Sequence, residues 1–308
     1  MSAAADRVSL FGFRLGWRAV RRMPERAAYA LFDRIAVVTH RRNTTSVQRL
    51  RANYARVRPE LGPAALDALT REGMRSYLRY WCDAFRLPDL DPDELARRVR
   101  VEGDGPVREA LGSGRGAVCF LGHLGNWDLA GAWSTHHLAP VTTVAERLRP
   151  EELFEEFLGY REALGMTILP LTGGDGAFRQ LVRAVRAGGL VPLLADRDLT
   201  STGVEVTFCG RPARMAPGPA ALSLSTGAPL FPVSVHYEPR PDRPPGPASY
   251  MIVITFGPAL EAAPGTRQEQ VRDLTQQCAD FLAAAVREHT EDWHMMQRVF
   301  VPAGEVVG

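Results

Sequence analysis

The sequence contains no lysine: all 37 of its basic residues are arginine. This absence excludes Schiff-base catalysis and a P-loop, both of which depend on a lysine amine. Cysteine is also scarce, and the four present are 37, 90 and 69 residues apart, which fits neither a disulfide scaffold nor a zinc knuckle. The GxSxG elbow of serine hydrolases and the HExxH and EF-hand patterns are missing too. We therefore expect a protein of a reducing compartment, without a metal site.

Long hydrophobic runs are absent as well. The longest stretch without a charge, Met215–Tyr237, contains four prolines and cannot form one membrane-spanning helix. The apolar start Val8–Phe13 is interrupted by Arg14 and Arg18, which makes it too short for the core of a signal peptide. We expect neither a signal peptide nor a transmembrane helix, and association with a membrane only at its surface.

The net charge of +2 conceals an asymmetry along the chain. Residues 1–58 carry 13 arginines and three acidic residues, whereas the remainder carries 24 arginines and 32 acidic residues. A basic segment that contains aromatic residues favours an anionic partner, either a membrane surface or a nucleic acid. No zinc finger, helix-turn-helix or RNA-recognition signature is present, so a nucleic acid is not expected as a partner. A solvated helix face is the alternative interpretation.

The hydrophobic periodicity changes after the first hundred residues. Residues 1–100 have the spacing of amphipathic helices, which either cap the core or place a face bearing Phe13 and Trp17 in a lipid interface. After Glu102, short apolar strands alternate with helices of about ten or more residues. This alternation predicts a single α/β domain with a mostly parallel central sheet, flanked by helices on both faces, whose catalytic core spans residues 101–300.

The segment GAVCFLGHLGNWD places a histidine where an open α/β sheet binds ligands, just past the carboxyl end of a buried strand. His123 comes two residues after the predicted strand Gly116–Leu121. Asn126 is expected to cap the next helix and to put Asp128 in its first turn. The two side chains can meet only if His123 lies on the loop. Spacing alone favours the plainer interpretation, in which Asp128 only caps the helix and His123 is an ordinary loop histidine.

A second strand end carries carboxylates. The predicted strand Leu190–Ala195 is followed directly by Asp196. A carboxylate at this edge can bind one nitrogen of His123, and the other nitrogen can then take a proton from a hydroxyl. Glu146 and Arg147 follow another strand, and the glycine-rich LTGGDG at 171–176 follows a third, where a phosphate could bind. A salt-bridge network and a plain turn are the alternatives for these last two.

Several segments carry a resemblance to a known family. GHLGNWD resembles the signature of the lysophospholipid-acyltransferase-like superfamily, in its lipid A late-acyltransferase branch. Longer segments are similar to the phosphatidylinositol mannoside acyltransferases of that branch. They include TTVAERLRPEELFEEFLGYREALG, ADRDLTSTGVEVTFCGRPARMAPG and EDWHMMQ, and the similar segments are spread over nearly the whole chain.

The resemblance implies a reaction. A long acyl chain, typically palmitoyl, would pass from acyl-CoA to the 6-hydroxyl of the inositol 2-linked mannose of a phosphatidylinositol mannoside. This would take place at the cytoplasmic face of the plasma membrane, with the acyl donor, the glycolipid and an anionic membrane surface as partners and with no cofactor. An acyl acceptor of another kind, such as a lysophospholipid or a different glycolipid, and a non-catalytic lipid-binding protein are the alternatives.

The resemblance also implies roles for individual residues. His123 would be the proton acceptor, and Asp196 the relay carboxylate at a position where the family carries the longer glutamate. Asp128 would complete the catalytic motif by shaping the loop. The expected substrate contacts are Arg161, Thr202, Ser225, Glu146 and Arg147, of which Ser225 also replaces a glutamate of the family.

Overall fold

The N-terminal part of the chain is helical, as predicted. The computed structural model describes residues 16–146, 151–171, 176–198 and 203–301. Thr44 and Asp91 cap two of the helices, because their side chains accept hydrogen bonds from backbone N–H groups of the first turn. The helices before the first strand are α1 (described over residues 16–22), α2 (Glu25–Arg41), α3 (Thr45–Val57), α4 (Pro63–Arg86) and α5 (Pro92–Arg97).

The strands are β1 (Val99–Glu102), β2 (Ala117–Leu121), β3 (Thr142–Ala145), β4 (Thr167–Pro170), β5 (Leu190–Leu194), β6 (Val204–Phe208), β7 (Arg211–Met215), β8 (Leu230–Pro239) and β9 (Tyr250–Phe256). Five of them form the central sheet, in the order β1-β9-β8-β2-β5. Three of its four strand pairs are parallel, and only β8 and β9 run antiparallel. A parallel pair of strands, β3 and β4, continues beyond β5, to which Val141 is joined by a bridge at Leu190. Strands β6 and β7 form a separate antiparallel hairpin.

Both faces of the sheet are covered by helices. Every residue of β2 is buried, with Val118 and Phe120 packed in one hydrophobic cluster and Cys119 and Leu121 in another. This alternation follows from the two-residue period of a strand. The predicted α/β class is confirmed. The first cluster includes residues of α9 (Ala177–Arg186), α10 (Gly218–Thr226) and α11 (Arg267–Glu288), and the second includes residues of α6 (Gly105–Gly112), α7 (Trp127–His137) and α8 (Glu151–Ala163).

Trp17 is half-buried and packs against α4 and α8. Its ring stacks on Phe85 with 5.2 Å between centroids, and its indole N–H donates to the Phe85 carbonyl at 3.0 Å. The ring also contacts Phe157 and Tyr160 of α8. The capping alternative therefore holds for Trp17, and Phe13 lies outside the described residues. Within the described part of the chain, every helix is too short or too polar to cross a bilayer.

Candidate active site

The sheet brings two sequence-predicted side chains together. Strands β2 and β5 are parallel neighbours, with Leu121 opposite Leu194. His123 and Asp196 each follow two residues later, so they share the carboxyl edge of the sheet. His123 Nδ1 and Asp196 Oδ1 are 2.6 Å apart. The side chain of Asp196 is therefore long enough to reach the histidine, although the resemblance implies the longer glutamate at this position.

Asp196 is a buried carboxylate with several N–H donors around it. Its side chain is fully inaccessible, and Oδ2 accepts bonds from the backbone N–H of His123 at 2.8 Å and from Trp293 Nε1 at 3.0 Å. Burial alone would raise the pKa of Asp196, but the His123 charge and these hydrogen bonds lower it below its usual value. The carboxylate is therefore ionised at neutral pH.

This ionised acceptor fixes the role of each nitrogen of His123. A carboxylate can only accept, so Nδ1 must carry the proton of the shared bond. Nε2 then holds the lone pair of the neutral ring. The His123 side chain is 21 % exposed, which leaves the ring reachable from the surface. The arrangement is that of a general base held in one tautomer.

Two glycines allow the loop around His123 to pass close to its neighbours. A Cβ on Gly122 would lie 2.7 Å from Leu282 of α11, and one on Gly125 would lie 2.4 Å from the Val235 carbonyl oxygen. Gly125 also has a φ of +64°, in the left-handed region that side chains rarely adopt. Asn126 then caps α7, as predicted, by accepting from the N–H of Leu129 at 2.9 Å.

The C-terminal segment 291–295 lies against this loop. The N–H of His294 donates to the His123 carbonyl at 2.8 Å, and the N–H of Gly125 donates to the Asp292 carbonyl at 2.9 Å. With the Trp293 bond to Asp196, this segment contacts both members of the His123–Asp196 pair. Trp293 is 97 residues from Asp196 in the chain, and sequence analysis marked its segment only through resemblance.

One polar face of α4 supports the same loop from the other side. Ser76, Tyr80 and Asp83 are spaced by four and three residues, so they share a helix face. Ser76 donates to Asp292, Tyr80 donates to Asp128 at 2.7 Å, and Asp83 accepts from Asn126 Nδ2 at 3.0 Å. Sequence analysis missed these residues, because the apolar pattern of α4 indicates only packing.

Asp128 and Arg161 bind each other. Arg161 Nε and Nη2 lie 2.6 and 3.2 Å from the two carboxylate oxygens of Asp128. Burial would lower the pKa of the Arg161 guanidinium, but the Asp128 charge raises it above its usual value. Within the described part of the chain, Asp128 makes no hydrogen bond to His123. The structure thus pairs His123 with Asp196 and places Asp128 in an ion pair that anchors α8 to α7.

Of the other predicted substrate contacts, one lies at the edge of the site, one lies away from it, and two fall outside the described residues. Glu146 forms an ion pair with Arg197, 3.1 Å away, at the edge of the site. Ser225 is not at the site: it lies in the last turn of α10, which leads into the start of β8 at the opposite edge of the sheet, and it accepts a bond from Arg267 at 2.8 Å. Thr202, Arg147 and most of the glycine-rich loop, 172–175, lie outside the described residues.

An apolar cavity lies between the sheet and α7, and it is bordered by Trp127, whose ring centroid is 5.4 Å from that of His123. Small residues of α7, among them Ala130, Gly131 and Ser134, form one wall. The opposite wall is the apolar face of β2, β5, β8 and β9, and Trp127 and Arg161 also border the cavity. Phe154 and Phe157 of α8 line a neighbouring cavity and not this one. No group of three potential metal ligands occurs in the described ranges.

A carboxylate-held histidine beside an apolar cavity is suited to activating a hydroxyl next to a hydrophobic substrate. The family model for bacterial lipid A biosynthesis acyltransferases matches residues 8–301. Phosphatidylinositol mannoside acyltransferase of Mycolicibacterium smegmatis is 41% identical over 291 residues, which cover 94% of this chain and 90% of that relative. The protein of the same name from Mycobacterium tuberculosis is 41% identical over 290 residues, which cover 93% of this chain and 87% of that relative.

The chain therefore belongs to the bacterial lipid A biosynthesis acyltransferase family, and it is an O-acyltransferase. This confirms the family that GHLGNWD and the longer segments indicated.

Asp292 makes the stability of this site depend on pH. Burial raises its pKa to about 6, above the value of about 4 in an unfolded chain. Between these values the folded protein binds more protons than the unfolded chain, so this group lowers the free energy of unfolding as pH rises from about 4 to about 6. Asp292→Asn should remove this contribution, on the order of 1–3 kcal/mol. Urea unfolding of both proteins across this range measures it, and parallel pH profiles would contradict it.

Proposed function

We propose that this enzyme transfers a palmitoyl group from palmitoyl-CoA to the 6-hydroxyl of the inositol 2-linked mannose in a phosphatidylinositol mannoside. The observation that carries the proposal is the His123–Asp196 pair, which provides a base for a hydroxyl and contacts Trp127, a residue that borders the apolar cavity. The names of relatives that are 41% identical support this acceptor.

His123 would act first as a base and then as an acid. Its Nε2 removes the proton of the mannose hydroxyl while the hydroxyl oxygen bonds to the thioester carbonyl carbon. The carbonyl re-forms as the carbon–sulfur bond breaks, and the CoA sulfur leaves with the proton that His123 held. The charge on Asp196 stabilises the imidazolium that exists between these steps.

The carbonyl oxygen becomes negatively charged during the attack and needs a hydrogen-bond donor. The backbone N–H of Gly125 is already bound to the Asp292 carbonyl. Trp127 is the better donor, because its ring centroid lies 5.4 Å from that of His123 and its buried Nε1 has no hydrogen-bond partner among the described residues. We assign Trp127 Nε1 to the oxyanion.

The assay for the proposal is release of CoA from palmitoyl-CoA, with and without a phosphatidylinositol monomannoside acceptor. Replacing His123 with alanine should lower the acceptor-dependent rate by about 10²- to 10⁴-fold, because the base is lost. Asp196→Asn should lower it by a similar factor, since the ring then loses its charged partner. Trp127→Phe should cost about 10- to 1,000-fold through the missing donor.

His136→Ala is the matched control, because His136 is an exposed histidine of α7 away from the pair, and it should keep the wild-type rate. Release that persists in the His123 variant would rule out His123 as the base. If the rate of CoA release is the same with and without the mannoside, the reaction is thioester hydrolysis or uses another acceptor.

The cavity between the sheet and α7 would hold the acyl chain. Ser134 is buried at its wall, 7 % exposed, so a leucine there would fill space that a long chain needs. Ser134→Leu should shift the preference from palmitoyl-CoA toward shorter donors such as octanoyl-CoA, measured as the ratio of kcat/KM values. His136→Leu places the same residue on the exposed face of α7 and should leave this ratio unchanged. An unchanged ratio in both variants would place the chain elsewhere.

The acceptor is a membrane lipid, and we propose that α2 contacts the cytoplasmic face of the plasma membrane. Leu31, Ile35 and Val38 form a stripe on α2 and are 40%, 41% and 46% exposed, with exposed Arg34 and Arg41 beside them. Apolar side chains flanked by arginines fit an anionic lipid interface.

Ile35→Asp should lower co-sedimentation with phosphatidylinositol-containing vesicles severalfold. Phe178→Asp is its control, because Phe178 is similarly exposed on α9, at 44%. If both variants lose vesicle binding to the same extent, α2 is not the specific membrane contact.

A further inference from the structure

A basic groove lies between α3 and the C-terminal segment 297–300, apart from the acyl cavity. Arg49 and Arg56 of α3 and Arg298 of the segment line it, together with the amide side chains of Gln48 and Gln297. None of its lining residues is acidic. All three arginines are exposed, and in the described ranges none of them forms an ion pair with a carboxylate.

The groove is held open by fixed backbone and does not depend on flexible side chains alone. Asn53 Nδ2, buried on α3, donates to the carbonyls of Met295 and Gln297 at 2.8 and 2.7 Å. Further along, Phe300 bridges to Ala213 of the β6–β7 hairpin. These contacts attach the segment to α3 on one side and to the hairpin on the other, so Arg49 and Arg298 face a common space.

The same segment connects the groove to the catalytic pair. Gln297 Oε1 accepts a bond from Arg197, the residue that follows Asp196. Trp293 and His294, which belong to the segment 291–295 just before it, contact Asp196 and His123 directly. A ligand in the groove would therefore bind near His123 and Asp196 and would leave both side chains free to react.

We propose that this groove binds a phosphate group of one of the substrates, a role that rests on the proposed function. Guanidinium groups bind phosphate through two parallel N–H···O bonds, and three arginines that form no ion pair among the described residues attract such an anion strongly. Arg56 also donates to the Ala52 carbonyl at 2.9 Å and lies over the Phe300 ring. The proposed substrates offer two sources with this chemistry: the phosphates of the CoA nucleotide and the phosphodiester of the glycolipid.

The test is equilibrium binding of two soluble probes, adenosine 3′,5′-bisphosphate for the donor and glycerophosphoinositol for the acceptor. The double variant Arg49→Gln/Arg298→Gln should bind one of the probes about tenfold or more weakly than the wild type, and that probe identifies the source. Arg183→Gln is the control, because Arg183 is an exposed arginine on α9, and it should bind as the wild type does. Melting temperatures should agree among the three proteins, since the replaced side chains are exposed.

Equal affinities in the double variant and the wild type, or no binding of either probe to the wild type, would overturn the groove assignment. These outcomes are separate from failure of the proposed function, because binding is measured without turnover. Acyl transfer that depends on His123 but is accompanied by unchanged probe binding would overturn the groove alone. Groove-dependent binding without acyl transfer would overturn the proposed function alone.

Discussion

The site depends on the hydrogen bonds that the buried carboxylate of Asp196 accepts. A charge removed from water is costly unless hydrogen bonds replace its hydration. Here the donors are the backbone and ring of His123 and the indole of Trp293. They come from the β2–α7 loop and from the C-terminal segment. One carboxylate thus orients the base and attaches the end of the chain to the sheet.

The contact between His123 and Asp196 could be predicted because it depends on local patterns. The apolar runs before His123 and Asp196 indicate buried strands, and parallel neighbouring strands place their carboxyl ends at one edge. The predicted strand Gly116–Leu121 differs from β2 by a single residue. The cap at Asn126 was predictable for the same reason, since its partner is three residues away.

Other parts of the site could not be predicted, because their partners are distant in sequence. Asp128 pairs with Arg161 on another helix, and Tyr80 reaches Asp128 from α4. No periodicity indicates such contacts. The strand β1, Val99–Glu102, escaped prediction because it is short and alternates with charged residues, and it is recognisable only through its pairing with β9. Trp17 was ambiguous because burial on Phe85 is a tertiary property.

The chain between His294 and Arg298 also limits the distance between the His123 loop and the basic groove. His294 bonds to the His123 loop, and Arg298 lines the basic groove four residues further on. Four residues of extended chain span at most about 14 Å. The Cα atoms of His294 and Arg298 therefore lie no further apart than this, so the fold and not the acyl tail sets the separation of the histidine and the groove.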